Sequence, residues 1–144
     1  MKNLKKEYHL SEIESIVNEL ANLLHSCKVM TFTGPLGAGK TTLVRILLTH
    51  LGIKEPITSP TFTYVNCYET DDGSLFYHFD LYRISSLETF MHMGFEEYLY
   101  QPTSWAFIEW PEKILPLLTH DVCHIHLDYG ADEQTRNITI NCIK

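Results

Sequence analysis

The stretch that most limits what this chain can fold into is "GPLGAGKTT", Gly34 to Thr42. It satisfies G-x-x-x-x-G-K-[ST] through Gly34, Gly39, Lys40 and Thr41. The pattern carries meaning only between a strand and a helix, and both flanks qualify. Val29–Thr33, "VMTFT", reads as a short buried strand. Beyond the loop, Leu43, Val44, Leu47, Leu48 and Leu51 recur at helical spacing, with Gly52 as a stop. A polyphosphate must be wrapped closely by main-chain N–H groups, and Cβ atoms at Gly37 and Gly39 would obstruct that approach. The N–H groups that open the helix point at the anion, and the helix dipole favours negative charge there. Lys40 supplies a point charge for the outer phosphates, Thr41 a hydroxyl suited to Mg²⁺, and Thr42 a hydrogen bond to an inner phosphate. Pro35, Leu36 and Ala38 complete the loop, Pro35 with no N–H of its own. We read the segment as a nucleotide-binding loop rather than a plain glycine-rich turn.

A chain of 144 residues is expected to form a single domain, 1–144, that buries about two-thirds of its unfolded surface. With 44% hydrophobic and 20% charged residues, its composition is that of a globular protein. No apolar run reaches the roughly 20 residues that span a membrane. The basic start "MKNLKKEYHL" lacks the apolar centre of a signal peptide. The four cysteines (Cys27, Cys67, Cys123, Cys142) form no C-x-x-C pair and read as small core residues or free thiols of a reducing cytoplasm. A formal net charge of −7 argues against a surface built mainly to hold nucleic acid.

Ser11–His25 is expected to be a helix opened by a capping box, Ser11 with Glu14, and carrying an apolar stripe of Ile13, Ile16, Val17, Leu20 and Leu24. Thr61–Thr70 and Ser74–Phe79 read as a hairpin around Asp71-Asp72-Gly73. Residues 86–99 look helical with a break at Gly94, Ser104–Trp110 is an apolar strand, and Ile114–Leu118 is a short helical piece. "VCHIHLDYG" and "RNITINCIK" look like a closing strand pair. Together these predict an α/β fold: a P-loop-like mixed, partly parallel sheet flanked by helices, with antiparallel strands at the C-terminal end.

Two acids follow apolar strands, Asp80 after "SLFYHF" and Glu109 after "WAFI". If those strands run parallel to Val29–Thr33, both emerge at the edge that carries the loop. Asp80 would then support Mg²⁺ beside Thr41, and Glu109 would orient or deprotonate the attacking water. His78, on the face of Asp80, either supports that acid or is a buried, satisfied histidine. Arg83 either neutralises phosphate charge or forms a salt bridge, and we favour the bridge. Trp110 reads as a packing anchor for Glu109. Thr58–Phe62, "TSPTF", is either a loop that senses the terminal phosphate, with Ser59 and Thr61 as its hydroxyls, or a turn into the next strand. His124 and His126 share a strand face without a third metal ligand at suitable spacing, so we read them as core or surface histidines.

"GPLGAGKTT", "SPTF", "HFDLYR", "GFEEYL" and "IEWPEK" in this order resemble the TsaE (YjeE) family of small bacterial P-loop ATPases, over nearly the whole chain. The resemblance implies a cytoplasmic, Mg²⁺-dependent ATPase that acts with the TsaD and TsaB proteins in making threonylcarbamoyladenosine on tRNA. It implies that Lys40 and Thr41 bind phosphates and Mg²⁺, that Thr61 belongs to the sensing segment, that Asp80 is the metal-side acid, and that Glu109 is needed for hydrolysis, also near the metal. Two alternatives stand beside it: a kinase acting on a small molecule or protein, and a non-catalytic nucleotide-dependent binding module. No arginine-rich lid is visible for the first, and the acid pair speaks against the second. The N-K-x-D signature of guanine binding is missing from the sequence.

Overall fold

The first strand of the computed structural model, which describes residues 2–144, is one the sequence reading did not assign: β1 (Lys2–His9). Three lysines hide its alternation, in which Leu4 and Tyr8 turn inward while Asn3, Lys5 and Glu7 stay exposed. A charged outer face suits its place at the edge of the sheet. A single 3₁₀ turn, Leu10–Glu12, leads into α1 (Ile13–Leu23). The expected Ser11/Glu14 box is displaced. Instead, Glu12 accepts from the His9 N–H at 2.8 Å, and the His9 ring accepts from the Ser11 N–H. The extra turn consumes the residues that a box at Ser11 would need. Ile16, Val17 and Leu20 are fully buried, as the apolar stripe requires.

β2 (Val29–Thr33) and α2 (Lys40–His50) flank the loop, and Gly52 ends the helix unit at φ +107°. β3 (Val65–Glu69) and β4 (Leu75–Asp80) form the antiparallel hairpin. β3 is shorter than the strand expected over Thr61–Thr70. The Tyr64 N–H bonds the Pro60 carbonyl at 3.0 Å and closes a turn that takes Thr61–Tyr64 out of the ladder. α3 (Leu87–His92) stops at Gly94, φ +77°, followed by a 3₁₀ turn over Phe95–Tyr98. β5 (Ser104–Glu109) leads into a 3₁₀ segment, Glu112–Leu117, and β6 (Val122–Tyr129) and β7 (Thr135–Ile143) close the chain.

The seven strands lie in the order β1-β7-β6-β2-β5-β4-β3. β6, β2, β5 and β4 are mutually parallel, while β3, β7 and β1 pair antiparallel. α1 and α2 cover one face over Met30, Phe32, Phe107, Ile125 and Ile140. α3 and the 3₁₀ turns cover the other, over Val29, Phe79, Ala106, Ile108 and Val122. This is the mixed α/β sheet expected. No helix among the described residues is long and apolar enough to cross a membrane.

One cysteine expectation is corrected. Cys123 and Cys142 lie opposite one another in the β6–β7 register and are joined as a disulfide. Their positions nineteen residues apart on two strands conceal a pairing that only the register reveals. Cys27 and Cys67 are free thiols, and burial pushes the Cys27 thiol up to about 12.

Candidate functional site

Because β4, β2 and β5 run parallel, their C-terminal ends share one edge, and the loop leaves β2 there. The register sets Phe32 beside Glu109 and Asp80 beside Glu109. Both acids therefore converge on the loop, as their position after apolar strands predicts. A cleft of about 330 Å³ opens between them, lined by Gly37, Gly39, Lys40, Thr41, Thr42 and Thr61 together with Asp80, Glu109 and the rim residues Tyr82, Arg83 and Trp110.

The loop's glycines are needed for different reasons. Gly34 (φ +137°) leaves no room for a side chain, since a Cβ there would lie 2.0 Å from the Leu127 carbonyl oxygen of β6. Gly39 (φ +102°) caps α2 and has nothing within 4 Å, so its constraint is the left-handed backbone itself. Lys40 is only 5% exposed. Its ammonium donates to the carbonyls of Gly34 and of Pro35, the latter at 3.0 Å, and lies 4.2 Å from the centre of the Trp110 ring. Burial pushes this ammonium below its usual range, against the upward pull of Glu109, Glu112 and Asp80.

The acids differ in setting. Glu109, 2% exposed, accepts from the Thr41 hydroxyl on one oxygen (2.7 Å) and meets His78 Nε2 with the other (2.6 Å). Asp80 is half-buried and accepts from the Tyr82 N–H at 3.0 Å. Burial pushes the Asp80 carboxyl above its ordinary value; the Tyr82 N–H opposes that, and the charge of Glu109 adds to it. The Thr41 hydroxyl bonds Glu109, while Asp80 lines the same cleft. One expectation changes here. The acid that His78 supports is Glu109, not Asp80: His78 pairs with Phe107 on β5, two positions before Glu109, and its ring reaches across to that neighbouring strand. His78 is fully buried, and its Nδ1 has no partner among the described residues. An unpaired lone pair costs less than an unpaired N–H, which favours a proton on Nε2, donating to Glu109.

Around the rim, no ion pair to Arg83 forms among the described residues; its guanidinium lies 5.5 Å from the centre of the Phe62 ring, so the favoured salt bridge is absent. Phe62 is 83% exposed, at the end of Thr58–Phe62. Thr61 reaches the cleft, and its hydroxyl is 3.3 Å from that of Ser59. Trp110, with φ +58°, packs against both Lys40 and Tyr82. His124 and His126 bond Thr31 and Thr33 of β2, each at 2.7 Å, and no cluster of three metal-ligating side chains occurs among the described residues. Two residues beside the loop escaped the sequence reading altogether. The Tyr129 hydroxyl bonds the Leu36 carbonyl, and Arg136 Nε bonds the Ala38 carbonyl at 3.1 Å. No local motif marks either one.

With this geometry in place, the chain can be set against known proteins. The family described as "Threonylcarbamoyl adenosine biosynthesis protein TsaE" matches residues 8–138. The chain belongs to the TsaE family. Among its relatives, the tRNA threonylcarbamoyladenosine biosynthesis protein TsaE of Treponema pallidum is 41% identical over 122 residues, 84% of this chain and 87% of that protein. The TsaE of Haemophilus influenzae is 39% identical over 124 residues, 85% of this chain and 76% of its own. The crystal structure of Bacillus subtilis YdiB superposes with a TM-score of 0.74 at 28% identity, covering 99% of this chain and 87% of that one. The TsaE match spans the loop, both acids and β6 entire.

Proposed function

We propose that this chain is a Mg²⁺-dependent ATPase that serves the formation of threonylcarbamoyladenosine on tRNA in the cytoplasm, acting on a complex of TsaD and TsaB. Family membership supports the pathway. The observation that supports hydrolysis is the hydrogen-bonded run Thr41–Glu109–His78, set beside Lys40 at the mouth of the loop.

The residues present suit Mg²⁺. One hydroxyl and two carboxylates meet at strand ends, and one of those carboxyls, Asp80, is desolvated enough to gain from a cation. Thr41, Asp80 and Glu109 would hold the ion together with phosphate oxygens, a set that keeps several waters and needs no cage of protein ligands. The chemistry a bound Mg²⁺ would supply there is neutralisation of charge on the outer phosphates. Gly34–Thr42 wraps the phosphates with its amides, and Lys40 exchanges the loop carbonyls it holds for phosphate oxygens. Glu109, fixed at both oxygens, orients the water for in-line attack and takes up its proton. Thr61 closes the cleft from the opposite wall as part of a segment that responds to the terminal phosphate.

The net charge of −7 disfavours direct capture of a tRNA backbone, so tRNA is met through the partners. The decisive experiment measures phosphate release and modified adenosine together, in a mixture of this chain, TsaD, TsaB, tRNA and threonylcarbamoyl-AMP. Wild type should hydrolyse ATP slowly alone and faster in the mixture, and Glu109→Ala should stop repeated rounds of modification. Continued rounds with no ATP consumed would overturn the proposal.

A further inference from the structure

The hairpin of β6 and β7 does more than complete the sheet. Tyr129, the last residue of β6, and Arg136, near the start of β7, both reach back to the loop. The Tyr129 hydroxyl donates to the Leu36 carbonyl, and Arg136 Nε donates to that of Ala38 at 3.1 Å. Arg136 is itself held in place: its Nη1 donates to the carbonyls of Glu133 (3.0 Å) and Thr135 (2.8 Å). Neither side chain lines the cleft.

Planar peptide geometry gives these contacts a consequence. In a trans peptide the C=O and the following N–H point in opposite directions, and no peptide bond among the described residues is cis. Drawing the Leu36 carbonyl out to Tyr129 turns the Gly37 N–H the other way. Drawing the Ala38 carbonyl out to Arg136 does the same for the Gly39 N–H. Gly37 and Gly39 both line the cleft. The carbonyls of Gly34 and Pro35, by contrast, are held by Lys40. Glycine populates both signs of φ with similar ease, so peptides next to Gly37 and Gly39 can flip unless something outside the loop holds them. A flipped peptide would present a carbonyl oxygen to a phosphate.

We infer that Tyr129 and Arg136 are positioning residues for phosphate binding, fixing two loop peptides so that the Gly37 and Gly39 amides face the cleft. This rests on the loop being a nucleotide site. The pair also ties the nucleotide site to β6 and β7, on the side of β2 away from the acids.

The test uses the full chain with Tyr129→Phe, which removes only a hydroxyl, and Arg136→Met, which keeps the stem and removes the donors. Mg·ADP and Mg·ATP affinities are measured by calorimetry, and the Gly37 and Gly39 amides are followed by ¹H–¹⁵N spectra of the nucleotide-free protein. Each variant should weaken both nucleotides by the same factor, about three- to tenfold, because these amides serve phosphates common to both. The two glycine amide signals should shift or broaden before any nucleotide is added, an effect that general loss of stability would not confine to those residues. Wild-type affinity in both variants, with binding lost in Lys40→Ala, would overturn the inference and leave the nucleotide site standing. Weakened binding with unmoved glycine amides would overturn it too. A wild-type protein that binds neither nucleotide would overturn the site and this inference together. If Arg136→Met does not fold, Tyr129→Phe decides alone.

Discussion

Replacing Gly34 and Gly39 by alanine should separate the loop's structural constraint from its chemical one. A methyl at position 34 would stand 2.0 Å from the Leu127 carbonyl oxygen, where ordinary contact begins at 3.4 Å, so strand or loop must yield by about 1.4 Å. Leu127 is fully buried in β6, which is paired on both sides, so it cannot yield alone. Overpacking of this kind costs about 1–3 kcal/mol, and a φ of +137° adds strain of order 1–3 kcal/mol for alanine. A domain of this size loses about 2–4 °C per kcal/mol, so Gly34→Ala should melt on the order of 10 °C below wild type. At Gly39 nothing lies within 4 Å, and only backbone strain remains. Gly39→Ala should therefore melt a few degrees low, by about 1–2 kcal/mol, yet lose nucleotide affinity, because the methyl occupies space the phosphates need. Thermal unfolding without nucleotide, paired with Mg·ADP calorimetry, reads both. Gly34→Ala melting within about 3 °C of wild type would refute the steric reasoning.

Lys40→Ala should abolish nucleotide binding or weaken it severely, as seen by calorimetry, since the loop has no other cation for the outer phosphates. Glu109→Ala should keep binding and lose turnover by on the order of 10²–10⁴-fold in a phosphate-release assay, whereas Asp80→Ala should make binding far less dependent on Mg²⁺ in a metal titration. His78→Leu should slow turnover about tenfold with little change in Mg·ATP affinity, and His78→Gln, whose amide can donate to Glu109, should restore most of it; equal rates for Leu and Gln would show that the donor is irrelevant. Because burial raises the Asp80 carboxyl, the folded protein holds its proton more tightly than the unfolded chain, and stability falls as pH rises from 3.8 through the raised folded value. Asp80→Asn should remove that decline and melt above wild type at neutral pH without nucleotide, by scanning calorimetry.

The parts of this fold visible in the sequence are those where a local signal and the tertiary structure agree. Val29–Thr33, the loop and the helix after it fall where periodicity and glycines put them, and the Asp71-Asp72-Gly73 turn sets its hairpin. β1 escaped because its alternation is carried by two residues, Leu4 and Tyr8, among lysines, and its pairing with β7 spans nearly the whole chain. The acids were legible as strand-terminal residues, but which of them meets Thr41 was not. That depends on register, which sets Glu109 on the strand next to β2 and Asp80 one strand further out. The same register carries His78 to Glu109 and brings Cys123 opposite Cys142. Tyr129 and Arg136 lie more than ninety residues from the loop carbonyls they hold, and side chain to main-chain contacts at that range leave no pattern to read.

The electrostatics of the site run against the stability of the free protein, and in one direction. Burial disfavours the charge on Lys40 and the charge on Asp80 alike. For lysine the sign is the reverse of the aspartate's: its lowered ammonium means that the charged form, dominant at neutral pH, is the one the fold disfavours. Lys40 answers this by holding the carbonyls of Gly34 and Pro35, neutral acceptors that a phosphate oxygen outcompetes, since hydrogen bonds to charged acceptors are shorter and stronger. Asp80 has one backbone donor and a neighbouring acid, so a divalent cation relieves what the protein leaves unmet. A group stabilised fully by its own protein would gain nothing from the ligand. Here two groups whose charges burial disfavours are the two that a metal–polyphosphate would satisfy, one by its anion and the other by its cation.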